Sequence, residues 1–181
     1  MESLNCSKTA AFYHHVHKLK HIKRSGWLRY PIREPETVAS HSYSVALLSW
    51  LLSEGKADTE RMLKMALVHD LAEAICGDMT PHDKEYKRKR QIEEDCLRKI
   101  ASALPGSMRR EIMGLQRELE EGKTIEAKTV GMADKLDMVL TAAEYGKPGA
   151  RLGEFFDVST PGFTESGMKL LKYLKSLRDS E

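Results

Sequence analysis

His69, Asp70 and Glu73 are the only polar side chains in the stretch Met65-Ala66-Leu67-Val68-His69-Asp70-Leu71-Ala72-Glu73-Ala74-Ile75. On a helix, residues three and four apart share a face, so these three converge on one patch. The apolar residues around them point in every direction, which predicts a helix buried on all sides. An unpaired carboxylate there costs on the order of several kcal/mol. No Lys or Arg lies between Met65 and Ile75 to answer the two acids. Two neutralisers are open: a divalent ion, or basic side chains brought from elsewhere to make a buried salt-bridge cluster.

Two further positions could complete an ion site. His41 heads the apolar stripe His41, Val45, Leu48 and Leu52 and so points where a core should be. Alone it reads as a satisfied core histidine. Asp134, with Asp137, interrupts the apolar run Ile125, Val130, Met132, Ala133, Leu136, Val139 and Leu140. Taken with His69 and Asp70, they give two imidazoles and two carboxylates, a mixed set suited to Mn²⁺, Co²⁺, Fe²⁺, Zn²⁺ or Ni²⁺. Four protein ligands on an ion that accepts six leave room for water and a substrate oxygen, as a catalytic site requires. His14, His17 and His21 offer a rival cluster. They have no carboxylate beside them, and a polar outer face explains them equally well.

The elements that must position these residues all read as helices. The spacing predicts a first helix from Thr9 to Arg24, stopped by Ser25-Gly26, and an irregular stretch from Trp27 to Pro35. A second helix runs from about Val38 to Glu54, with Thr37 as its cap. Asp58 caps the central helix, which Gly77 ends, and Asp78 to Asp83 form a loop. Lys84 to Leu104 and Ser107 to Glu121 are amphipathic helices split by Pro105-Gly106. Thr124 opens a long helix to about Tyr145. Gly146 to Gly162 is a loop region, and a last helix spans about 164–177. No alternating strand pattern and no repeat is present, so the predicted fold is all-α.

The chain's 181 residues suit a single domain. Its net charge of +2, with no long block of one sign, gives no bulk electrostatic reason to bind nucleic acid or a membrane. The run Lys87-Arg88-Lys89-Arg90 is answered by Glu93, Glu94 and Asp95 and reads as a solvated face. Cys6, Cys76 and Cys96 form no CxxC pair, which argues against a disulfide framework or a thiolate zinc site. No apolar run approaches membrane-spanning length. A reducing cytoplasm is the expected compartment.

At His41, His69-Asp70 and Asp134 the chain resembles the HD-domain phosphohydrolase superfamily, whose H…HD…D signature they reproduce. The likeness extends through Pro35-Glu36-Thr37-Val38-Ala39-Ser40-His41-Ser42, His69-Asp70-Leu71-Ala72-Glu73-Ala74 and Gly77-Asp78-Met79-Thr80-Pro81. It continues in Glu126-Ala127, Ala133-Asp134-Lys135-Leu136-Asp137-Met138, Glu144-Tyr145 and Phe155-Phe156-Asp157. These segments are similar to the HD domain-containing protein 2 family and its bacterial 5′-deoxynucleotidase relatives, over about Leu19 to Gly162.

The resemblance implies a compact HD-domain helical bundle, residues 1–181 as one domain, with the metal site between helices. It implies one divalent ion on His41, His69, Asp70 and Asp134, with Glu73 and Asp78 as the acids near the attacking water and the leaving group. Arg24 would match the family's phosphate-binding arginine and Trp27 the tryptophan beside the sugar. In the bacterial enzyme Arg and Trp are adjacent, whereas Ser25-Gly26 separates them here. The implied activity is a metal-dependent phosphomonoesterase releasing phosphate from (deoxy)nucleoside 5′-monophosphates, and the family's members form homodimers.

Physical reasoning stands beside these roles. A divalent ion lowers the pKa of a bound water from about 15.7 toward about 7, and Glu73, one turn from His69, can accept its proton. Asp78 lies just past the helix end, within reach of the open face, and could protonate a leaving oxygen only if its pKa were raised. Arg24 offers a bidentate fork for phosphate oxygens. Two other readings compete: hydrolysis of a triphosphate, cyclic nucleotide or alarmone, and a non-catalytic scaffold stabilised by the ion. The first lacks a triphosphate-sized basic cluster near the site, and the second has no use for Glu73 and Asp78.

Overall fold

The computed structural model describes residues 5–146 and 152–179. Among these residues it holds eight α-helices, three 3-10 turns and no strand; its one β-type pairing joins Lys23 to Thr37. Helix α1 spans Cys6–Leu19, and its cap Asn5 accepts from the Lys8 amide at 3.2 Å. Helix α2, Val38–Leu52, opens on a reciprocal box in which the Thr37 and Ser40 side chains each take the other's backbone N–H. Helix α3, Thr59–Val68, starts on Asp58, whose carboxylate accepts from the Arg61 amide. Then come α4 (Glu73–Cys76), α5 (Lys89–Ala101), α6 (Gly106–Glu121), α7 (Ile125–Gly146) and α8 (Glu165–Arg178). Gly77, at φ 76°, ends α4 in a backbone conformation that side chains with a Cβ resist.

Helix α7 is the axle of the bundle: α2, α3, α6 and α8 all pack on it. Val45, Met62, Met65, Ala66, Leu115 and Val130 fill the space between α2, α3, α6 and α7. Leu19, Leu71, Ala74, Leu97 and Ile100 form a second cluster under α1 and α5. Trp27, Leu136, Val139, Phe156, Leu171 and Leu174 form a third, beneath α8. Each Val, Leu, Ile, Met or Phe among them contributes about 1.5–3 kcal/mol when fully buried. Helix α8 comes close to α7 at Gly167, where an added methyl would run into Met132 Sδ.

Five expectations need correction. Helix α1 stops at Leu19 rather than Arg24, because the backbone beyond it turns to pair with the segment leading into α2: Arg24 N–H donates to Glu36 O (3.0 Å), and Val38 N–H donates to Ile22 O (2.9 Å). The central helix is not continuous. It breaks at residues 69–72, where the His69 ring takes the Ala66 carbonyl at 2.7 Å and the following amides reach back three residues instead of four. Nor is it buried on all sides, since Leu67 and Ile75 are exposed. Helix α5 begins at Lys89 rather than Lys84, since Asp83 folds the preceding loop by accepting from the Thr80 amide and hydroxyl. In the loop expected from Gly146 to Gly162, Gly153–Phe156 forms a 3-10 turn, and residues 147–151 lie outside the described residues.

Candidate metal centre

The four residues expected as ligands come from α2, the turn that ends α3, and α7; His41, His69 and Asp134 converge, and Asp70 lies beside the two rings. The capping box starts α2 so that His41, one turn in, faces the core with no exposed surface. His69 stands at the end of α3, and the chain break there turns Asp70 toward it. Asp134 comes from the middle of α7.

Both imidazoles have one nitrogen committed. His41 Nδ1 lies 2.7 Å from Asp137 Oδ2, and His69 Nδ1 lies 2.7 Å from Ala66 O. Carboxylate and carbonyl oxygens only accept, so both rings donate from Nδ1. Their Nε2 atoms then face each other at 3.4 Å. Asp134 Oδ1 lies 3.1 Å from His41 Nε2, and Asp70 Oδ2 lies 3.2 Å from His69 Nε2 and 3.6 Å from His41 Nε2. The donor atoms of His41, His69 and Asp134 all fall within 4.8 Å of one another.

The electrostatics calls for a cation at this point. Burial opposes charge on His41, yet its contacts with Asp134 and Asp137 push its pKa up to about 10. Burial likewise opposes charge on His69, and Asp70 raises it nonetheless. Asp70 and Asp134 are held below the usual carboxylate range despite burial, chiefly by His69 and His41 respectively. Two nitrogen lone pairs converging between two carboxylates are what a divalent transition ion takes, so the residues fit the group.

The salt-bridge alternative is realised for part of the patch only. Arg24 NH1 lies 3.2 Å from both Asp70 Oδ2 and Asp78 Oδ1. Its other neighbour is Glu73, whose Oε2 is 3.9 Å away. Glu73 is fully buried, and neither of its oxygens has a hydrogen-bond partner. Burial first, then the charges of Asp70 and Asp78, pushes its pKa up to about 10. Without a divalent charge nearby it is an acid; a cation at the imidazole pair is what would make it a base.

Asp78 is fully engaged. Oδ1 accepts from Arg24 and Oδ2 from the Ser25 amide, while the Ser25 hydroxyl donates to Asp78 O. Trp27 is buried: its Nε1–H donates to Glu36 Oε1 at 2.8 Å, and its ring lies against Phe155 and Tyr145. Arg24, Trp27 and Asp78 nevertheless line one cleft of about 370 Å³, with Tyr86, Lys89 and Phe155. That size suits a small ligand. The histidines of the rival cluster, His14, His17 and His21, do not gather at one point: His17 and His21 face each other at 3.3 Å, while the His14 ring meets His15.

Sequence reasoning missed four members of this arrangement. Asp137, three residues past Asp134, is on the same face of α7, and that spacing was the available signal. Lys89 sat inside a basic run taken for a solvated face. Ser25 was read only as a helix stop, and Glu36 gave no signal of its own.

Residues 16–170 match the model of a protein family described as HD domain. The chain is 40% identical over 169 residues to a protein of Danio rerio named 5′-deoxynucleotidase HDDC2, covering 91% of this chain and 83% of that one. The PH0347 protein of Pyrococcus horikoshii superposes with a TM-score of 0.77 at 35% identity, covering 92% and 96% of the two chains. A structure described as a predicted metal-dependent phosphohydrolase, from Magnetospirillum magnetotacticum, gives 0.74 at 25% identity, covering 98% and 92%.

Proposed function

The chain belongs to the HD-domain family, and from that premise we propose that it is a metal-dependent phosphohydrolase converting deoxynucleoside 5′-monophosphates to nucleoside and phosphate. The observation that carries this reading is the pair of imidazole Nε2 atoms, 3.4 Å apart and flanked by Asp70 and Asp134, with Arg24 both touching Asp70 and lining the neighbouring cleft. The names of its relatives point to the same activity.

His41, His69, Asp70 and Asp134 would hold one ion, of the Mn, Co, Fe, Zn or Ni class. Bound there, it supplies Lewis acidity and makes a water easier to deprotonate. Glu73, buried and without a hydrogen-bond partner among the described residues, accepts that water's proton and can pass it on to the departing 5′ oxygen. Arg24 grips the phosphate with the donors its carboxylate partners leave open. Asp78, on the leaving-group side, holds Arg24 in line through Oδ1, while Oδ2 is anchored by the Ser25 amide. The wall made by Trp27, which Glu36 and Phe155 keep from turning, packs against the sugar where a 2′-hydroxyl would project. No base-reading group stands out, so bases are accepted broadly.

Two expectations test the finer parts. Phosphate release from dAMP should outpace release from AMP, and Trp27→Phe, which limits the cavity in so buried a site, should narrow that gap. Equal rates for both nucleotides with the unmodified protein would sink the sugar assignment. The second concerns assembly. Tyr43, Leu47, Trp50 and Leu51 form an exposed apolar stripe on α2, which supports a homodimer built on that face. Light scattering should give a dimer mass for the unmodified protein and a monomer mass for Trp50→Glu; a dimer in both would place the interface elsewhere. The free cysteines support a reducing cytoplasm as the working compartment.

A further inference from the structure

Resting on the phosphohydrolase reading, we propose that Lys89 is a second phosphate-binding cation, facing Arg24 across Glu73. Arg24 alone is poorly placed to attract a dianion, because its NH1 is shared by Asp70 and Asp78 and approached by Glu73. Its guanidinium is thereby committed largely to protein carboxylates. Lys89, at the first turn of α5, brings its Nζ to 4.0 Å from Glu73 Oε1, while Arg24 NH1 stands 3.9 Å from Oε2. The two cations bracket one carboxyl group, and neither is bonded to it.

Lys89 has donor capacity for this role. Its ammonium carries three N–H bonds. One reaches Met79 O at 3.2 Å and a second the Glu93 carboxylate, Oε1 at 3.4 Å. The third is left over, and the residue lines the same cleft as Arg24 and Asp78. Its contact with Met79 also ties the cation to the loop that follows Asp78, so the charge is held at a fixed place in the cleft. A phosphate lodged where Glu73 can act on the attacking water lies between the two cations, with oxygens for each. The rival role is a structural pin, in which Lys89 serves only Met79 and Glu93.

The test uses inorganic phosphate, titrated calorimetrically into the Mn²⁺-loaded protein and its variants. Lys89→Met and Lys89→Gln should each weaken phosphate about tenfold or more, since each removes a charge-assisted hydrogen bond. The same loss should appear in KM for dAMP more than in kcat, and Lys89→Arg should restore most of it. Glu93→Gln, which removes the partly exposed ion pair and keeps the cation, should bind phosphate within about twofold of the unmodified protein. Unchanged phosphate affinity in whichever of Lys89→Met and Lys89→Gln folds would overturn the proposal. An equal loss in Glu93→Gln would also overturn it, as the mark of a pin. Phosphate bound through Lys89 by a protein that releases none from dAMP would support the cation and overturn the phosphohydrolase reading instead.

Discussion

Glu73→Gln is expected to lower turnover of dAMP by roughly two orders of magnitude or more, while the protein keeps its fold and its ion. The substitution preserves shape, so no cavity opens around a side chain with no exposed surface. It removes the carboxylate proposed to take the water's proton. Stability should hold, because neither oxygen of Glu73 accepts a hydrogen bond that the amide would lose. Turnover, metal content and melting temperature measured on one preparation separate these effects. Normal turnover would make Glu73 a structural acid; lost metal would make it a ligand.

Stripping the divalent ion is expected to abolish activity and to lower Tm by about 5 °C or more. The reason is the convergence of Asp70, Asp134 and two ring nitrogens on one point. In the ion-free protein protons stand in for the metal, with the His41 and Glu73 pKa values both pushed up to about 10. Metal uptake near neutral pH must therefore displace protons, and affinity should rise with pH between 6 and 9. Stability of the ion-free form moves the other way. A group whose folded pKa lies above its unfolded value makes stability fall as pH climbs from the unfolded value to the folded one. For His41 the contribution of its carboxylate partners is lost between about 6.5 and about 10; for Glu73 the cost of burying the ionised form is incurred between about 4.5 and about 10. The ion-free protein should thus melt lower at pH 9 than at pH 6, and added Mn²⁺ should reverse the difference. Unfolding scans at the two pH values, with and without chelator, measure both effects.

The helices were legible where local chemistry decides them. Asp58 and Thr37 cap α3 and α2 as expected, Thr164 caps α8, and the glycines at 77 and 122 end their helices. His41 was legible because it stood on a core stripe, and Asp134 because it interrupted one. What escaped depends on partners far along the chain. The end of α1 is set by Glu36 and Thr37, which pair with Arg24 and Lys23. The break at 69–72 follows from the His69 ring competing for the Ala66 carbonyl, which periodicity does not report. Lys89 was hidden because a basic run looks solvated until the fold shows which of its side chains turns inward. Ser25, read only as punctuation, proved to hold Asp78 through both its amide and its hydroxyl.

The central claim is that one divalent ion sits on residues from α2, α3 and α7 and powers ester hydrolysis. The most direct measurement is an anomalous difference map from crystals of the active, Mn²⁺-loaded protein. The predicted result is a single strong peak within about 2.0–2.3 Å of the His41, His69, Asp70 and Asp134 side chains. An active crystal with no peak there, or with its peak at His17 and His21, would contradict the account.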